Sequence, residues 1–109
     1  ALLQTLVLFI ALDYVIGVLV AGYHGQLNSK VGFKGIAKKV LILLLVAVAH
    51  QIDLLLGDGS LIRDSVIFFY LANELLSILE SVGKTNLPIP DVLKKAVETL
   101  NNKGEVKND

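Results

Sequence analysis

The chain has no cysteine, methionine or tryptophan, and only two prolines and two histidines among its 109 residues. Without cysteine there can be no disulfide, thiol nucleophile or thiolate metal site. The two histidines, His24 and His50, lie in different segments and no acidic group has ligand spacing, so no metal is expected. Charge is also scarce, at 18% of residues, and its formal sum is zero, so overall charge points to no partner. Catalysis would need a nucleophile with a base, a paired acid and base, or a metal. None of these is legible, and neither enzymatic activity nor a cofactor is expected. Because methionine is absent and an apolar run opens at Ala1 without flanking charge, we expect a further segment upstream. The opening run does not read as a cleaved secretory signal, since it is longer than an h-region and has no basic n-region.

What the chain does contain is apolar surface. Hydrophobic residues make up 54% and the mean hydropathy is +0.69, more than a soluble domain of this size can hide. The expected class is therefore an all-α membrane protein, with three transmembrane helices and a short C-terminal amphipathic helix forming one helical membrane domain over residues 1–100. The organising stretch is residues 61–82, long enough to cross a bilayer as a helix but too polar to face lipid all round. At about 100° per residue, Arg63, Tyr70, Asn73, Glu74, Ser77, Glu80 and Ser81 fall on one side, with Ile67, Phe68, Leu71, Leu75, Ile78 and Leu79 opposite. An unpaired carboxylate at bilayer depth costs at least about 2.5 kcal/mol. One face of this helix must meet partner helices or water.

Residues 1–22 read as the first crossing, with Asp13 near its middle on the face of Gly17 and Ala21, a small-residue pair that permits close helix approach. Asp13 is expected to be a hydrogen-bonded carboxyl within a bundle or a pore-lining group. Residues 23–39 read as a glycine-interrupted loop carrying Lys30, Lys34, Lys38 and Lys39 and no acid, hence cytoplasmic by the positive-inside rule. These lysines read as topogenic, with no nucleic-acid partner. Residues 40–56 form the second crossing, and near its far end His50 and Asp53, three apart, can pair with each other or with a neighbouring helix.

Residues 57–60, Gly-Asp-Gly-Ser, form a turn tight enough to make the second and third crossings antiparallel neighbours, with Gly57 closing one helix and Ser60 capping the next. After the third crossing, Leu87-Pro88-Ile89-Pro90 breaks the helix. Residues 90–100 then carry Val92, Leu93, Ala96, Val97 and Leu100 on one face, an amphipathic helix suited to the membrane surface or to a partner helix. Residues 101–109 read as a polar tail. The expected topology has the amino end of this chain outside and the carboxyl end in the cytoplasm.

An ordered set of motifs resembles the toxin-secretion and phage-lysis holin family. The set opens with Asp13-Tyr14-Val15-Ile16-Gly17 and Ser29-Lys30-Val31-Gly32-Phe33-Lys34-Gly35-Ile36 with Lys38-Lys39. It continues through Ala49-His50-Gln51-Ile52-Asp53, Gly57-Asp58-Gly59-Ser60 with Arg63, and Val66-Ile67-Phe68-Phe69-Tyr70. It closes with Asn73-Glu74, Ser77-Ile78-Leu79-Glu80 and Gly83 followed by Leu87-Pro88-Ile89-Pro90. The resemblance implies a multi-pass protein of the bacterial cytoplasmic membrane that accumulates, forms homo-oligomers and opens lesions. Through these an endolysin or toxin passes without required direct contact.

Family members usually carry hydrophobic sequence upstream of the Asp-Tyr motif, which agrees with the expected missing segment. No catalytic residues come with the family. Asn73, Glu74, Ser77 and Glu80, with His50, Asp53 and Asp13, are the residues expected to mediate helix association or to line a pore, and these two roles stay open. The competing function is a non-permeabilising accessory or scaffold subunit of a membrane complex.

Overall fold

The computed structural model describes residues 1–105, which fold into four helices: α1 (Leu2–Tyr23), α2 (Ser29–Leu56), α3 (Leu61–Gly83) and α4 (Asp91–Lys103). The expected class is what the structure shows, since α1, α2 and α3 are long and apolar enough to cross a membrane and α4 is a short helix at the carboxyl end. The hub is α3. Each of α1, α2 and α4 packs against it, whereas α1 and α2 barely meet. Leu6 and Ile10 of α1, Val46 of α2, and Ile67 and Leu71 of α3 form a buried apolar cluster in the half of the bundle nearer the α2–α3 turn. Large apolar side chains such as Leu8, Leu19, Leu44 and Leu55 point outward, as lipid-facing residues do.

The long loop expected over residues 23–39 is not present. The chain reverses within a few residues at Gly25, whose φ of 67° lies in the left-handed region that glycine tolerates. Asn28, in extended geometry, then caps α2 by accepting the Lys30 N–H at 2.9 Å. The second span thus begins at Ser29 rather than at residue 40, and Lys30, Lys34, Lys38 and Lys39 are helical. Gly32 and Gly35 were expected to interrupt a helix, and each costs roughly 1 kcal/mol relative to alanine. The cap, and the pairing of Lys39 described below, offset that cost.

The α2–α3 turn is tight, with Gly57 at φ 67° sending its N–H to the Asp53 carbonyl at 2.9 Å and Gly59 at φ 76°. Its cap differs from expectation. Ser60 makes no side-chain bond to the helix start but donates its hydroxyl to Asp64 at 2.9 Å. The Asp53 carboxylate does the capping from across the turn, accepting the N–H of Ile62 at 2.9 Å and of Arg63 at 2.7 Å. A carboxylate reaches the helix start with full charge, which the positive end of the α3 dipole favours over a hydroxyl.

Beyond α3 the chain turns at Asn86, φ 65°, and Ile89 packs over Gly83. Pro90 stands just before α4 and its carbonyl accepts the Leu93 N–H at 3.0 Å. The helix expected over residues 90–100 continues to Lys103, so part of the expected polar tail is helical. The reason is contact: Leu100 packs against the buried cluster and Gly104 rests on the α3 backbone. Residues 106–109 of that tail lie outside the described residues. Replacing Asp53 by Ala orphans two helix-start N–H groups and should lower stability by about 1–2 kcal/mol, with Asp53→Asn losing less. Thermal unfolding in detergent micelles measures this, and equal midpoints would show that α3 needs no cap.

Candidate functional site

Three ionisable groups, one from each span, stand at the same height. Asp13 lies ten residues before the end of α1, Lys39 ten after the start of α2 and Glu74 nine before the end of α3, so each is about 15 Å from the same end of the bundle. The Lys39 Nζ donates to Asp13 Oδ2 at 2.5 Å and to Glu74 Oε2 at 2.9 Å. Asp13 and Glu74 are 8% and 5% exposed, and Lys39 is half-buried. One ammonium therefore ties all three spans together, and with every group ionised the cluster keeps one net negative charge. Removing the shared Lys39 costs far more than a surface ion pair contributes, because two carboxylates are left unmatched in a medium that cannot solvate them.

The surroundings of the cluster differ on its two sides. Toward the α2–α3 turn lies the dry cluster of Leu6, Ile10, Val46, Ile67 and Leu71. Toward the α1–α2 turn the helices separate around a cavity of about 340 Å³, whose walls include Asp13, Tyr14, Gly32, Lys39, Ser77 and Ser81. A side chain at Gly32 would meet the Tyr14 hydroxyl at 3.5 Å, so the glycine leaves this space open. The cluster thus sits where a mainly apolar-walled cavity, with Asp13, Lys39, Ser77 and Ser81 as polar groups in its lining, meets the buried core.

The polar stripe read along α3 divides. Glu74 and half-buried Ser77 face the other spans, whereas Asn73 and Glu80 are exposed on an outer strip with Phe69 and Leu76. The structure does not bring Asn73 and Glu80 to the cluster. His50 and Asp53 do not pair with each other either. Arg63 Nη1 lies 3.3 Å from His50 Nδ1, which acts as the acceptor because a guanidinium only donates. The Asp53 carboxylate is instead turned to the start of α3, with one oxygen on each of two backbone N–H groups.

Lys30, Lys34 and Lys38 are exposed along the first turns of α2. Lys39, read from sequence as a fourth loop lysine, is instead the cation of the buried cluster. Sequence reasoning missed it because the span was started one residue after it. The signal was available, since two intramembrane acids demand a nearby base. Among the described residues no group of three or more His, Cys, Asp or Glu comes together as a metal site.

Asp58, in the α2–α3 turn, has a buried Oδ1 without a hydrogen-bond partner among the described residues. Burial, followed by the adjacent Asp53 carboxylate, pushes its carboxyl above the ordinary 3.8.

Comparison with known proteins places this geometry. The model of the bacteriophage holin family matches residues 1–102. An uncharacterized protein of Listeria monocytogenes is 58% identical over 96 residues, covering 88% of this chain and 69% of its own length. A 14.9 kDa uncharacterized protein encoded 3′ of nagH in Clostridium perfringens is 44% identical over 102 residues, 93% of this chain and 77% of its own. A protein of Bacillus phage phi105 named "Probable holin" is 29% identical over 98 residues, 90% of this chain and 73% of its own. No solved structure matches the chain.

Two predictions follow from the charges. Lys39→Met strands two buried carboxylates and should destabilise the bundle by about 3–5 kcal/mol, while the combined Asp13→Asn, Lys39→Met and Glu74→Gln variant should regain most of that loss. Denaturant titration in micelles compares them, and an additive triple variant would contradict a shared cation. For Asp58, whose folded pKa is raised, the stabilising contribution is fully present below 3.8 and is lost as pH rises through the folded value. Asp58→Asn should therefore raise the unfolding midpoint at neutral pH and leave it unchanged near pH 3, as a melting series across pH would show.

Proposed function

Because the chain belongs to the bacteriophage holin family, we propose that it permeabilises the bacterial cytoplasmic membrane by assembling with copies of itself, letting an endolysin or toxin out without having to touch it. The observation that carries this reading is the outer strip of α3. Asn73 and Glu80 are exposed on a helix of membrane-spanning length, and Glu80 has no ion pair among the described residues. A carboxylate so placed needs water or a polar neighbour, and a second copy of the same strip, or the water between copies, supplies it. The lipid-tolerant outer surfaces of α1 and α2 leave the remainder of the bundle free to face acyl chains.

The orientation follows from the lysines. Lys30, Lys34 and Lys38 at the start of α2, and Lys84 after α3, are exposed at one end of the bundle, the end from which α4 departs. By the positive-inside rule that end is cytoplasmic, which places the start of this chain outside and its carboxyl end inside. The Asp13–Lys39–Glu74 cluster acts as the internal clasp of a single copy. Its excess carboxylate makes that closed form costly in lipid, and Asn73 and Glu80 supply polar surface for association, while Ser77 faces inward beside the cluster. His50 and Asp53 hold the far turn together rather than line the lesion.

Glu74→Leu leaves a charge-balanced Asp13–Lys39 pair, so the closed copy becomes less costly and opening should come later or fail. Induced expression in a bacterial host, with membrane levels of protein matched, measures the delay before growth stops; an unchanged delay would remove Glu74 from the triggering step. Liposomes carrying the purified chain should release dextrans of protein size. Correctly inserted protein that releases nothing would favour the accessory-subunit reading instead.

A further inference from the structure

The α2–α3 hairpin carries two stripes of the same period on one of its faces. A cavity of about 480 Å³ lies between the two helices, lined by Leu45, Val48 and Ile52 from α2 and by Ile62, Val66 and Phe69 from α3. These side chains open on one side of the hairpin. Continued toward the lysine end, the α2 stripe runs through Leu41 and Lys38 and the α3 stripe through Asn73, Leu76 and Glu80, in alternating steps of four and three residues. Such a 3.5-residue repeat is the one by which helices pack side by side. Yet every member of the α2 stripe is exposed, and so is the α3 stripe from Phe69 onward. The stripes also match each other in height. Val48 lies eight residues before Leu56 and Phe69 eight after Leu61, about 12 Å from the turn on either helix. Leu41 and Leu76 are each fifteen residues away, about 22 Å, while Lys38 and Glu80 are eighteen and nineteen away, about 28 Å. Leucine is level with leucine, and ammonium with carboxylate. Neither Lys38 nor Glu80 has an ion pair within the chain among the described residues.

We infer that this face is where two copies of the chain meet, related by a two-fold axis along the membrane normal. Copies inserted in one orientation keep their heights under such a rotation, and it sets α2 of each copy against α3 of the other. Lys38 of each copy then meets Glu80 of the other, so the charge match is made twice. Toward the turn, Leu41 packs on Leu76 and Val48 on Phe69. Asn73 stands in the same layer in both copies, level with Leu45, and its amide both donates and accepts. A polar residue so placed fixes register in an otherwise apolar seam. The inference rests on the self-assembly proposed above and supplies the surface that the exposed strip of α3 meets. The other side of α2, around exposed Leu44, is left to acyl chains.

The natural absence of cysteine makes the test direct. Leu41→Cys and Leu76→Cys are made in separate full-length chains with different affinity tags, mixed in liposomes loaded with dextran, and treated with a short bifunctional thiol reagent. We expect mixed dimers of these two variants, and none when Leu44→Cys takes the place of Leu41→Cys. Introduced into both chains, Lys38→Glu or Glu80→Lys alone should lower the crosslinked yield on dilution with lipid roughly tenfold, since two attractions become two repulsions. Chains carrying both reversals should regain the yield.

No crosslink between Leu41→Cys and Leu76→Cys, or an equal yield through Leu44→Cys, would show that copies do not meet by this face. Reversals whose effects add instead of cancelling would show that Lys38 and Glu80 never pair across copies. Each of these overturns the inference, and dextran release by the same vesicles would leave permeabilisation standing. Chains that crosslink as expected and release nothing would keep the interface and remove the permeabilising reading instead.

Discussion

The shared cation at the centre of the bundle is the constraint on which the other features depend. Asp13 and Glu74 lie deep in two apolar helices, and neither could be buried there without a base. Lys39 satisfies both, and in doing so it sets the vertical register of α1, α2 and α3. It also accounts for the early start of α2. The helix must be continuous through residue 39 to hold the ammonium at the height of the acids, and two glycines within its first turns are tolerated on that condition. Gly32 and Gly35 put no side chain into the space on that side of the cluster, where the cavity lies.

The two ends of the bundle are built on different principles. At the α2–α3 end a short turn, two left-handed glycines and a carboxylate cap give a rigid hairpin over a dry core. At the other end α1 and α2 scarcely touch, a cavity opens between the helices, and the exposed lysines gather. The bundle is packed around an apolar cluster in one half and opens around the ionic cluster in the other. Its helices are joined mainly through α3 and through one cluster with more acid than base.

That reading joins the chain's surface to its family. The outward faces of α1 and α2 are mainly apolar beyond the exposed lysines at the start of α2, whereas α3 shows an outer strip containing Asn73 and Glu80. In a lone copy this polar surface has no adequate solvent within a bilayer. Association that turns the strip toward another copy or toward water removes the difficulty.

Helix class, the apolar spans, the sharp α2–α3 turn, the polar character of α3 and the amphipathic pattern of α4 were legible in the sequence. Each follows from local periodicity or from one residue's backbone preference, and a bilayer leaves few alternatives to a helix for an apolar run of that length. Family membership was legible as well, because an ordered set of motifs persists along the chain.

Pairing was not legible. Lys39 reads as one more basic loop residue until the fold brings it to two acids lying 26 and 35 residues away. The cap on α3 comes from Asp53 on the preceding helix rather than from adjacent Ser60. The α3 stripe splits because an arc of polar residues is broad enough for Glu74 to turn inward while Asn73 and Glu80 remain outside. Periodicity specifies which residues share a face, but only tertiary packing decides what that face meets, because the energy of a buried charge depends on its partner and on the surrounding dielectric rather than on its place in the chain.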